Sequence, residues 1–204
     1  MDGAKIHFST AEAELMNNAN IILTKIEVQE KVRLLMVEAQ TRMLLLKSPD
    51  AAFSTPPKIS KGENYLGLPY TVLDFPRHFI GTDIVLIRSM FWWGRYFSST
   101  LLLAGSPKDQ YLANIKKSYE DLKGAGSFIG INPDPWQHHF EQDNYCAVAD
   151  LSYEQFTMQC DQFDHIKIAT RWPLDQPDTA PGRWADNWYA YLKLLGLIAT
   201  QPVK

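Results

Sequence analysis

Residues 84–105, Ile-Val-Leu-Ile-Arg-Ser-Met-Phe-Trp-Trp-Gly-Arg-Tyr-Phe-Ser-Ser-Thr-Leu-Leu-Leu-Ala-Gly, constrain the fold more than any other part of the chain. Two β-favouring apolar runs meet at Gly94, and two of the six tryptophans stand beside it, between Arg88 and Arg95. Such a segment is too apolar to be solvated and too aromatic to be a linker, so it belongs at the centre of a sheet. Residues 84–92 and 95–104 are expected to be neighbouring antiparallel strands. Trp93-Gly94 is then their tight turn, because glycine tolerates the positive φ of primed hairpin turns. One long strand bulged at Gly94 is the alternative.

Around this core the sequence reads as two helices, three strands, a helix, a strand, a helix, a strand and a helix. Ser9 and Glu12 have capping-box spacing, which predicts a helix from about Thr10 towards Lys25. Val28, Val32, Leu35, Ala39 and Leu46 then fall on one stripe of a second helix. Residues 47–67, with Pro56-Pro57, Gly62 and Gly67, read as a long surface connection. The first strand of the core is expected at residues 68–75. Ser106-Pro107 opens a helix ending near Gly124, residues 146–151 form a strand, and Ser152 with Gln155 caps a short helix. Residues 165–172 form the last strand and about 183–198 the last helix. Short turns between adjacent strands imply an α+β fold: a two-layer domain with an antiparallel or mixed sheet, N-terminal helices and a C-terminal helix.

A chain of 204 residues is expected to form a single domain, 1–204, large enough to need no covalent staples. The net charge of −3 argues against non-specific nucleic-acid binding, which requires a basic surface. No apolar run approaches the roughly 20 residues needed to cross a bilayer, and the first residues lack the apolar core of a secretory signal. A cytoplasmic protein with Cys146 and Cys160 reduced is the expectation. These two thiols, with no further cysteine nearby, do not make a structural zinc site.

Four groups of residues carry candidate chemistry. Gly124, Gly126 and Gly130 resemble a dinucleotide fingerprint only superficially, because a helix precedes them and Asn132-Pro133 follows. They are expected to end a helix and start a strand. His138 and His139 lie near Glu141 and Asp143 in a proline-bounded loop. Adjacent side chains of an extended segment point apart, so a shared metal is not expected there and no cofactor is assigned. Asp74, Arg77 and His78 mark a strand end where an Asp–His pair would suit general-base work, but no nucleophile with motif context accompanies them.

The last group pairs arginine with tryptophan: Trp92 with Arg95, and Arg171 with Trp172. Guanidinium planes stack on indoles, and together these four residues would form a pocket for a small anionic ligand. The leading expectation is therefore a non-catalytic ligand-binding or assembly protein with an Arg/Trp-lined site. A hydrolase or metal-dependent enzyme using His78, His138 or His139 is one alternative. A structural homodimer through the N-terminal helices is the other, since Leu34, Leu44 and Leu45 exceed what one buried stripe requires.

Overall fold

The computed structural model describes residues 5–45 and 51–198. A seven-stranded antiparallel sheet runs in the order β1-β2-β3-β4-β7-β5-β6. Its strands are β1 (Lys58–Tyr65), β2 (Leu68–Ile80), β3 (Asp83–Trp92), β4 (Tyr96–Ala104), β5 (Phe128–Gly130), β6 (Tyr145–Ala147) and β7 (His165–Trp172). Among the described residues the α-helices are α1 (Thr10–Asn17), α2 (Ala19–Leu44), α3 (Ser106–Lys117), α4 (Tyr119–Gly124), α5 (Tyr153–Asp161) and α6 (Ala180–Leu194). Among the described residues no helix is long and apolar enough to cross a membrane.

The tryptophan-rich segment forms the centre of this sheet, as its composition requires. Strands β3 and β4 pair from Ile84↔Ala104 to Trp92↔Tyr96, and Gly94 takes a φ of 65° in the turn between them. Every residue of β4 is buried, which only a central strand covered on both faces allows. Alternate residues divide into two layers. Val85, Ile87, Phe91, Phe97, Leu101, Leu103, Ile166, Ile168 and Trp172 face the helices. Val72, Met90, Trp92, Tyr96 and Ala169 belong to a second cluster with Phe140 and Tyr145.

The helical layer is tied to the sheet by polar groups as well as by area. On α6, Trp184 Nε1 donates to Ser98 O at 3.0 Å, and Trp188 Nε1 to Phe75 O at 2.8 Å. Tyr191 donates its hydroxyl proton to Ser99 O at 2.9 Å. Each bond lets an amphipathic aromatic ring be buried without stranding its polar atom. Val32, Met36, Ala39 and Met43 of α2 complete this layer, close to the stripe read from sequence; Leu46 lies outside the described residues.

Several boundaries differ from the sequence reading. The first two helices meet at Asn18, not between Lys25 and Val28, because Asn18 breaks the backbone at φ −101° and ψ 86°. The segment read as a surface connection contains β1, whose alternation of exposed and half-buried residues is too polar to register as a strand. Strand β2 continues past Pro76. Phe75 and Pro76 bulge opposite Ile87, since the register runs Asp74↔Arg88 and then Arg77↔Leu86. Both capping boxes form, at Ser9–Glu12 and Ser152–Gln155. The 106–124 helix is divided at Ser118 into α3 and α4, and Asp83 Oδ1 takes up the Ser106 amide at 2.9 Å.

Candidate functional site

The face of the sheet turned away from the helices carries the chemistry-bearing side chains, and the chain's own loop 131–144 lies across it. Besides Tyr96, whose oxygen accepts the Phe140 amide proton at 3.1 Å, three polar attachments hold the loop. In the first, Asp74 and Arg88, opposite each other on β2 and β3, form a two-pronged ion pair with both N···O distances 2.8 Å. Arg88 also donates from Nη1 to His138 Nε2 at 2.9 Å. A guanidinium has only donors, so His138 accepts at Nε2 and keeps its proton on Nδ1. Burial, then the charges of Arg88 and Lys167, hold His138 well below the usual histidine range, which keeps the ring neutral.

The second attachment is Tyr65. Its oxygen accepts the amide protons of His138 at 2.6 Å and His139 at 3.1 Å. His139 Nε2 lies 3.1 Å from Asp143 Oδ1, and its Nδ1 lies 2.8 Å from the Tyr65 hydroxyl. The carboxylate accepts from Nε2, which leaves Nδ1 to accept the Tyr65 hydroxyl proton. Desolvation raises the Tyr65 pKa, so the phenol stays protonated to donate. The third is Lys167, only 1% exposed, which donates from Nζ to Gln137 O at 2.7 Å and Asn144 Oδ1 at 3.3 Å. Its ammonium sits 4.7 Å from the Tyr145 ring centroid. Burial lowers this lysine to about 8, with Asp134 pulling the other way.

Phe140 completes the seal, packing edge-on against Tyr96 at 5.3 Å and stacking on Tyr145 at 4.5 Å. The loop therefore covers the part of this face that carries Tyr65, Arg88 and Lys167, while Arg95 and Arg171 stay exposed. His138 and His139 serve as struts of that cover and point to different partners. His78 stands elsewhere, opposite Val85 on the β2–β3 ladder. Asp74 pairs across the sheet with Arg88, while Arg77 donates to Pro56 O at 3.0 Å, so Asp74, Arg77 and His78 form no unit. Among the described residues no group of three or more His, Cys, Asp or Glu side chains is placed to hold a metal ion. Burial raises both thiols, Cys160 to about 12, so neither has the depressed pKa of a nucleophilic cysteine.

The arginine–tryptophan group is split between the two faces. Trp92 and Arg171 share the loop side with Tyr96, whereas Trp172 packs among the helices against Phe97 and Trp184. Trp92 and Trp172 therefore do not wall one pocket. The Arg95 guanidinium lies 5.3 Å from the Trp92 ring centroid, and Arg171 lies 5.3–5.6 Å from Tyr96, Phe128 and Phe140. Both arginines are exposed, and among the described residues neither has a carboxylate partner. Trp92 and Tyr96 touch edge to face at 5.4 Å, so the two cations flank one aromatic pair.

Lys167, Tyr65 and Tyr96 escaped the sequence reading. The signal for Lys167 was present: in β7, His165, Lys167, Ala169 and Arg171 alternate with Ile166, Ile168, Thr170 and Trp172. The same period places adjacent Arg171 and Trp172 on opposite faces. Compared with known protein families, with characterised proteins and with solved structures, the chain matches none.

Proposed function

We propose that this chain is a non-catalytic assembly protein that associates with itself through its N-terminal helices. The observation supporting this reading is the apolar surface of α1 and α2. At the start of α2, Ile21, Ile22, Leu23 and Ile26 are 46–56% exposed, although each is a residue that folding normally hides. Further along, Leu34, Val37 and Leu44 continue from Leu23 and Ile26 at steps of three, eight, three and seven, on the side opposite buried Val32, Met36, Ala39 and Met43. A helix with a second apolar stripe is suited to pair with another element. Leu34, Leu44 and Leu45, the excess positions of the sequence, are among these exposed residues at 47–79%.

Light scattering at high micromolar concentration tests the reading. A mass above one chain is expected, and replacing Ile22 and Ile26 with Glu is expected to weaken association at least tenfold. A monomeric full-length chain would overturn it.

A second reading is favoured by the unpaired cations: Arg95 and Arg171, with Trp92 and Tyr96 as flat apolar supports, accept a small anionic ligand. Two forked donors free of carboxylates suit a phosphate or carboxylate group. Titration calorimetry with inorganic phosphate or citrate tests this, binding being lost in Arg95→Ala and in Arg171→Ala. Unaltered binding in both variants, or none in the parent, would sink it.

A further inference from the structure

We propose that the N-terminal arm of one copy, residues 6–17, docks in the cleft between α2 and the two hairpin turns of a second copy. This rests on the self-association proposed above and adds which surfaces meet. The cleft, of about 640 Å³, is bordered by Ile21, Thr24 and Val28 on α2 and by Leu68, Pro69 and Trp93 at the β1–β2 and β3–β4 turns. Its walls are mostly apolar and its size is that of a binding site. The arm is the complementary object. Ile6, Phe8, Leu15 and Met16 are 52–78% exposed, and α1 has no buried residue at all.

An eight-residue helix is far below the length at which an isolated helix holds itself together in water, even with a capping box. It requires a surface to pack against. Its own cleft is barred by the connection: Asn18 alone separates α1 from α2. Antiparallel helices need about two to five linking residues, so α1 cannot fold back along its own α2. A second copy has no such restriction, and a hinge this short favours exchange between protomers. The exchange is reciprocal, so each copy contributes both an arm and a cleft. The four arm side chains offer roughly 100 Å² each, about 400 Å² from each copy, before the cleft walls that receive them are counted.

The experiment uses two full-length variants. Leu15→Glu with Met16→Glu disables the arm, and Ile21→Glu with Thr24→Glu places charge in the cleft; all four positions are exposed, so the fold is spared. Each variant alone is expected to lose self-association by about a hundredfold, with an unchanged circular dichroism spectrum. Mixing them is expected to restore a dimer, because the intact arm of one meets the intact cleft of the other. Undiminished dimers in either variant, or failure of the mixture to associate, would overturn the exchange. If the arm variant stays dimeric while Ile22→Glu with Ile26→Glu dissociates, the exchange falls but self-association through α2 survives. A monomeric parent removes both.

Discussion

Lys167 pays a desolvation cost that its neighbours only partly offset. The folded chain holds it near pH 8, against 10.5 for a free lysine. Below about 8 the whole cost is present. Between 8 and 10.5 the unfolded chain binds more protons than the folded one, so stability rises with pH, by about 3 kcal/mol across the window. Lys167→Met removes the titrating group. Urea unfolding followed from pH 7 to 10 should show the parent gaining on this variant, and parallel curves would mean that Lys167 is not desolvated. His138 acts in the acid range. Its folded pKa is depressed, so as pH falls below 6.5 the unfolded chain takes up a proton that the folded chain refuses, and stability drops. Asp74 and Arg88, with side chains 11% and 16% exposed, offset each other's burial as an ion pair. Asp74→Ala would leave Arg88 facing His138 without its counter-charge, at an expected cost of about 3 kcal/mol in chemical denaturation.

At the scale of elements, legibility followed hydrophobic contrast. Strands β3 and β4 were readable because their residues are apolar on both faces and the turn needs glycine. Leu102, 2% exposed on β4, should accordingly cost about 2–5 kcal/mol when replaced by Ala, as judged by urea unfolding. Strand β1 was not readable: Lys58, Ser60, Lys61, Gly62, Glu63 and Asn64 give an edge strand its solubility and erase its pattern. The loop cover was illegible for another reason. Its attachments join residues 23–74 positions apart, such as Lys167 to Asn144 and Tyr65 to His139, and no local period encodes them. The site itself was half legible. The period of two in β7 predicts the sidedness of Arg171, but nothing in the sequence says that loop 131–144 folds over that face.

For the whole molecule, both sides of the sheet carry a cover while the arm has none. Helices cover one face and the loop covers much of the other, yet α1 and the beginning of α2 leave their apolar side chains in solvent. That asymmetry has a thermodynamic signature. A chain whose arm is satisfied only by a second copy is stabilised by mass action, so its melting temperature must climb with protein concentration. Each tenfold rise in concentration above the dissociation constant adds roughly 1.4 kcal/mol per mole of dimer to the stability. For a chain of this length, half of that per protomer corresponds to a shift of about 1–3 °C. Calorimetric scans over a hundredfold concentration range should show this climb in the parent. In Ile22→Glu with Ile26→Glu the melting temperature should be flat. A parent as indifferent to concentration as the variant would mean that the exposed stripe of α2 has no second copy to bury it.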